Sequence, residues 1–136
     1  MSPRTRVLLV EDNPDDILLS RLALAASGLP WELAITESGA GALEHLATHP
    51  VDLVLLDLSL PDHSGLAVLA QLRASAFGQT VPVVVVTSSG TPRDSEASYR
   101  AGANLFLQKP LSLRAFTNTL RDQGPTWLDL SAPPRS

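Results

Sequence analysis

The stretch Val51-Asp52-Leu53-Val54-Leu55-Leu56-Asp57-Leu58-Ser59-Leu60-Pro61 decides the fold of this chain. Its apolar run, rich in Val and Leu and closed by Pro61, is typical of a parallel strand that is buried on both faces. Open α/β sheets bind their ligands outside the carboxyl ends of such strands. The stretch therefore predicts a central strand that delivers the Asp57 carboxylate to a functional crevice.

Segments of strand and helix character alternate on both sides of this run. Four further strands are predicted at 7–10, 31–36, 81–87 and 104–108, and five helices at about 14–28, 41–49, 66–78, 92–101 and 112–122. Five βα units predict an α/β fold, a doubly wound parallel sheet of the flavodoxin-like type with strand order 2-1-3-4-5. A length of 136 residues, 44% of them hydrophobic, indicates a single domain.

The composition excludes several classes of function. A net charge of -4 and the lack of basic clusters argue against a nucleic acid or an anionic membrane as partner. The absence of Cys excludes disulfides and thiolate metal sites. The apolar stretch near the N-terminus, at 7–10, is too short for a signal peptide or a membrane span, so we expect a cytoplasmic protein.

Polar side chains follow the predicted central strands. In the order 2-1-3-4-5, the residues Glu11, Asp12, Asp57, Thr87 and Lys109 all converge on one crevice. Three carboxylates at one place repel one another unless a hard cation offsets their charge. Mg²⁺ prefers oxygen ligands and commonly works beside phosphate groups, and the backbone carbonyl of Ser59 is a further candidate ligand.

This set of groups suits phosphoryl transfer. Asp57 is a candidate nucleophile that forms an acyl phosphate. Thr87 is suited to donate a hydrogen bond to one phosphoryl oxygen, and the Lys109 ammonium to neutralise another. Among the ten basic residues Lys109 is the only lysine, which gives its position at the crevice modest additional weight.

The combined motif resembles the receiver domain of bacterial two-component response regulators. The resemblance covers about 6–123, leaving a tail at 1–5 and an extension at 124–136 with no output domain. It implies that Asp57 accepts a phosphoryl group from a sensor histidine kinase and that Glu11 and Asp12 hold Mg²⁺. It also implies that Thr87, after strand four, and Lys109 sense the phosphoryl group, while Phe106, in strand five, is the switch aromatic.

A narrower resemblance concerns the acidic first loop, 10–16, and the tail that contains Trp127. Both are similar to single-domain regulators that partner phytochrome-type histidine kinases. That subgroup implies a homodimer through the fourth helix, fifth strand and fifth helix together with the C-terminal tail. From the residues alone, Trp127 packs either on its own domain or on a partner.

Four functions remain open at this stage. The first is a phosphoacceptor switch that is not an enzyme in the usual sense and signals through a changed surface, including a weakly anchored fourth helix. The second is a Mg²⁺-dependent phosphatase of the haloacid-dehalogenase type, although Ser59 stands where such enzymes carry a second Asp. The third is a flavin or nucleotide carrier, and the fourth an unphosphorylated adaptor.

Three smaller expectations complete the prediction. Ser59 and Ser89, each two positions beyond a site residue, are small and predict access of water to an acyl phosphate. His45 and His49 lie at i and i+4, but no third ligand is evident, so we expect a solvated pair. Asp15 and Asp16 are interpreted as favourable charges at a helix N-terminus.

Overall fold

Five parallel strands form the centre of the molecule in the computed structural model, which describes residues 4–62, 64–88, 91–109 and 112–130. The strand order is β2-β1-β3-β4-β5, which confirms the predicted fold class. The strands are β1 (Thr5–Val10), β2 (Trp31–Thr36), β3 (Leu53–Leu56), β4 (Val83–Thr87) and β5 (Leu105–Gln108).

One helix follows each strand: α1 (Pro14–Ser27), α2 (Gly39–Thr48), α3 (Gly65–Ala74), α4 (Pro92–Ala101) and α5 (Leu113–Trp127). The Asn13 side chain caps α1 by accepting from the backbone N–H groups of Asp15 and Asp16. Gly28 ends α1 in the left-handed conformation, at a φ of 75°. Within the described ranges, no helix is both long and apolar enough to cross a membrane.

The ends of two helices differ from the prediction. Helix α3 ends at Ala74, four residues early, because Phe77 is 44% exposed and adds no core contact that would extend the helix. Helix α5 continues to Trp127, five residues beyond the predicted end at 122, although Pro125 lies inside it. The buried Trp127 ring and the close packing of Gly124 on Trp31 hold this last turn in place.

Successive residues of each central strand point to opposite faces of the sheet, and both faces are covered. On one face, Leu8, Val54 and Val83 pack against residues of α2 and α3. On the other face, Leu9, Leu55 and Val84 pack against residues of α1 and α5. Strands β1, β3 and β4 are thus buried on both sides, which explains their continuous apolar sequences.

Helix α4 buries little of its surface and is tied to α3 by Arg73 at its C-terminal end. Ser98 is its one fully buried residue, and Tyr99 is 45% exposed. Arg73 of α3 is buried and donates to the backbone oxygen of Gly102, the residue that caps α4, at 2.8 Å from Nη2. The C-terminal end of α4 is therefore fixed more firmly than the rest of the helix.

Candidate functional site

The register of the central strands brings three carboxylates together. Val10 lies opposite Leu56, and the backbone N–H of Asp57 donates to the oxygen of Val10 at 3.0 Å. Asp57 therefore leaves β3 at the level where Glu11 and Asp12 leave β1. The sheet places these residues at the carboxyl end of its switch point, as the sequence predicts.

These carboxylates form a group that can hold a metal ion. One oxygen from each of Glu11, Asp12 and Asp57 lies within 4.8 Å of the others, and among the described residues this is the one group of its kind. Glu11 and Asp57 are buried, whereas Asp12 is exposed. Three hard oxygen donors with an open side fit Mg²⁺, which keeps several waters in such sites.

Lys109 follows β5 and completes the pocket. Its backbone N–H donates to the oxygen of Thr87 at 2.7 Å, which continues the ladder between β4 and β5. Its Nζ lies 3.1 Å from Asp57 Oδ2 and also contacts Glu11 Oε1. The structure thus brings Glu11, Asp12, Asp57 and Lys109 into one place.

Asp16 is a member of the pocket that sequence reasoning missed. Its Oδ2 lies 2.9 Å from Lys109 Nζ, so the ammonium contacts a third carboxylate. Both side chains line a cavity that is also lined by Leu19 and Leu55. Asp16 lies in the first turn of α1, where a favourable interaction with the helix macrodipole explained it equally well.

Burial and pairing shift the pKa values of the two buried carboxyls, Glu11 and Asp57, in opposite directions. Desolvation raises the pKa of Glu11 to about 7, and the neighbouring Asp57 adds to the effect while Lys109 opposes it. Burial also disfavours the charged form of Asp57. Hydrogen bonds from Glu11, the backbone of Ser59 and Lys109 outweigh this and hold the pKa of Asp57 below its usual value. Asp57 is therefore the carboxyl that stays ionised.

The pKa of Lys109 shifts in the direction that keeps its charge. Desolvation alone would lower this pKa, but hydrogen bonds to Glu11 and Asp16, with the charge of Asp57, raise it above its usual value. The ammonium is therefore permanently present beside Asp57 at neutral pH.

Thr87 and Phe106 belong to strands β4 and β5, and Ser59 follows β3 two residues after Asp57. Thr87 ends β4 and is fully buried. Phe106 is half-buried opposite Val85, on the face of the sheet that α2 and α3 cover. The backbone N–H of Ser59 donates to Asp57 Oδ1 at 3.1 Å, so Ser59 orients the carboxylate. Ser89 lies outside the described residues.

The loop after Asp57 is held against the start of α3. An added Cβ on Gly65 would lie 2.5 Å from the backbone oxygen of Asp57, so this close approach requires glycine. The Asp62 carboxylate accepts from the backbone N–H groups of Gly39 and Ala40, at 2.8 and 3.0 Å, and ties the loop to α2. The position of Asp57 thus depends on two neighbouring helices.

The structure also places the histidine pair and Trp127, which lie outside the pocket. The rings of His45 and His49 stack with centroids 4.4 Å apart, and no third His, Cys, Asp or Glu among the described residues joins them as a metal group. Trp127 is 1% exposed and packs into the core of its own domain, with Leu128 and Leu130 partly buried beside it.

Comparisons with known proteins agree with this geometry. The profile of the family described as response regulator receiver domain matches residues 7–121. The polar-differentiation response regulator DivK of Brucella ovis is 35% identical over 115 residues, 85% of this chain and 92% of DivK. Other curated relatives are longer: the chain spans 24% of a probable cyclic di-GMP phosphodiesterase of Vibrio cholerae and 50% of KdpE of Mycobacterium tuberculosis.

Solved structures of receiver proteins superimpose on nearly the whole chain. The phosphorylated cyanobacterial phytochrome response regulator RcpA is 31% identical, with a TM-score of 0.84 over 97% of this chain and 100% of RcpA. The Mn²⁺-bound form of Rcp1 is 32% identical, with a TM-score of 0.80 over 96% and 99%. The receiver domain of PA1611 from Pseudomonas aeruginosa, with magnesium coordinated in its active-site cleft, is 26% identical, with a TM-score of 0.77 over 93% and 99%.

Proposed function

The chain belongs to the response regulator receiver domain family, and we propose that its Asp57 accepts a phosphoryl group from a sensor histidine kinase in a Mg²⁺-dependent reaction. The observation that carries this proposal is the contact of Asp57 with Lys109, together with the grouping of Asp57 with two other carboxylates, Glu11 and Asp12. The Mn²⁺-bound form of Rcp1 and the PA1611 receiver domain, which has magnesium coordinated in its active-site cleft, support the metal dependence.

The arrangement suits Asp57 for nucleophilic attack on phosphorus. An oxygen of its carboxylate forms a bond to phosphorus while the bond between phosphorus and the imidazole nitrogen of the kinase's phosphorylated histidine breaks. The electron pair of that bond stays with the leaving imidazole, which takes up a proton. Lys109 is placed to balance the negative charge of the phosphoryl oxygens, so the protein contributes mainly position and charge.

Glu11, Asp12 and Asp57 would hold the metal ion, with the Ser59 carbonyl as a proposed further ligand. Bound Mg²⁺ would neutralise charge on the phosphoryl oxygens and orient them for in-line transfer. Because Glu11 is buried and its pKa is raised, it must give up its proton before it serves as a ligand.

The output of the switch is proposed to be a changed surface around α4, β5 and α5. Thr87 would move towards the phosphoryl group, and Phe106 would follow it. Helix α4 is suited to respond because Ser98 is its one fully buried residue while Arg73 secures its far end. The proposed switching element is thus a helix with one fully buried residue, and this limited burial suits it to shift.

The proposed partners are a sensor histidine kinase, with a bacteriophytochrome as the narrower candidate, and a second copy of the chain. The likeness to the cyanobacterial phytochrome response regulator RcpA supports the narrower candidate. The second copy would bind through α4, β5 and α5 together with the C-terminal residues. We propose residues 6–123 as the signalling unit and the cytoplasm as its location, with no role in binding nucleic acid or membrane.

Acid-stable labelling tests the proposed function directly. The protein is incubated with radiolabelled acetyl phosphate and Mg²⁺, quenched, and compared with Asp57→Ala and with a sample in EDTA. We expect label only on the unmutated protein with Mg²⁺, and none on Asp57→Ala or on the sample in EDTA. Equal labelling of Asp57→Ala would contradict the proposal, and sustained release of phosphate from monoesters would instead support a phosphatase of the haloacid-dehalogenase type.

A further inference from the structure

The Lys109 ammonium contacts three carboxylates, and one of them lies outside the group that can hold a metal ion. Glu11 and Asp57 belong to that group, whereas Asp16 contacts Lys109 at 2.9 Å without belonging to it. An ammonium has three N–H donors, which equals the number of carboxylates in contact. Asp16 therefore accepts a hydrogen bond from the ammonium that Glu11 and Asp57 would otherwise have to accept.

Lys109 and a divalent cation compete for the same oxygens. Glu11 and Asp57 are both contacts of the ammonium and candidate ligands of the metal ion. An ammonium that had these two partners alone would bind them more firmly and oppose the entry of the cation. Solvent screens these charges only in part, since the Lys109 side chain is 13% exposed and that of Asp16 31% exposed, so the competition affects metal binding.

We propose that Asp16 is a positioning residue that holds the Lys109 ammonium on the α1 side of the pocket and thereby keeps Glu11 and Asp57 available to a divalent cation. This inference rests on the proposed function, because it concerns the same pocket, but it makes a claim about metal affinity and not about phosphoryl transfer. Its chemical step is an exchange of ion-pair partners and involves no covalent change.

Asp16→Asn tests the inference, with Asp15→Asn as the matched control. Both substitutions remove one negative charge from the first turn of α1, but Asp15 is exposed and its side chain has no described contact with Lys109. The measurement is the Kd of Mg²⁺ by titration calorimetry. We expect Asp16→Asn to raise the Kd roughly fivefold and Asp15→Asn to change it less than about twofold.

A double-mutant cycle separates an action through Lys109 from the direct loss of a nearby charge. The direct effect of Asp16→Asn persists when Lys109 is replaced by Met, whereas the effect through the ammonium disappears. We therefore expect the change caused by Asp16→Asn to fall to about twofold or less in the Lys109→Met background. Asp16→Glu, which keeps the charge, should restore most of the affinity.

The outcomes distinguish this inference from the proposed function. An equal effect of Asp16→Asn in both backgrounds, or equal Kd values for Asp16→Asn and Asp15→Asn, would overturn the inference while Mg²⁺ binding by the unmutated protein still supports the function. Failure of the unmutated protein to bind Mg²⁺ would overturn both. A fivefold change that depends on Lys109 supports the inference.

Discussion

Lys109 Nζ lies 3.1 Å from Asp57 Oδ2, although the two residues are 52 positions apart in the chain. Each follows a strand, and the parallel order of the sheet brings the two strand ends to the same edge. The ammonium offsets part of the repulsion among Glu11, Asp12 and Asp57 when no cation is present. The stability of the metal-free protein should therefore depend on this lysine.

Lys109→Met should lower the stability of the metal-free protein at pH 8 by about 2–4 kcal/mol, because buried carboxylates then lose their compensating charge. Urea unfolding in EDTA measures this, and Mg²⁺ should restore most of the loss. The control is Arg121→Met, whose guanidinium is exposed beside Asp122 and should contribute almost nothing. Equal losses in the two variants would show that Lys109 does not stabilise the pocket.

The raised pKa of Glu11 makes the metal-free protein less stable as the pH rises. The folded state keeps the Glu11 proton up to about pH 7, whereas the unfolded state releases it near 4.5. Stability from this group is therefore fully present below about pH 4.5 and is lost as the pH rises through 7, a change of about 2 kcal/mol between pH 5.5 and 8.

Urea unfolding in EDTA at several pH values measures the Glu11 effect. Glu11→Gln should flatten the pH profile, while the exposed Glu44→Gln should leave it unchanged. The lowered pKa of His45, caused by desolvation and by His49, acts in the opposite sense, but this side chain is only partly buried and its effect is small. If the stability of Glu11→Gln still falls as the pH rises, another group causes the pH dependence.

Gly65→Ala should destabilise the protein by about 1–3 kcal/mol, because the new Cβ would overlap the backbone of Asp57 and Leu58 at 2.5 Å. Labelling by acetyl phosphate should also slow, since the displaced atoms belong to the phosphoacceptor itself. Gly41→Ala is the matched control: the three atoms nearest to its Cβ would all belong to side chains, with Ser38 Oγ the nearest at 3.0 Å. It should be near neutral, because alanine favours the helix.

Most of the fold and the centre of the site could be predicted because they depend on local signals. Continuous apolar runs mark the buried strands, and the polar residues that follow them, such as Asp57 and Lys109, must meet at one edge of a parallel sheet. The role of Asp16 could not be predicted in this way. A carboxylate in the first turn of a helix is already favourable, so its sequence position gave no reason to expect a contact with Lys109.

Local sequence patterns also could not predict the burial of Arg73 or the length of α5. A single arginine in an amphipathic helix is typical of an exposed position, yet Arg73 is buried because backbone oxygens of Gly78, Val81 and Gly102 accept from it. Gly124 and Pro125 are typical of a helix end. Tertiary packing on Trp31 outweighs that local preference.

Trp127 should be part of the folding core and not a detachable tail. Its side chain is 1% exposed and packs with Trp31 and Leu120 in the core that α1 and α5 cover. Trp127→Ala should therefore cost about 3–5 kcal/mol in urea unfolding, through lost burial and the cavity that remains. Leu18→Ala, at a residue that is 55% exposed, should cost far less. If Trp127→Ala matched Leu18→Ala in stability but weakened self-association in light scattering, the ring would serve a partner instead of its own core.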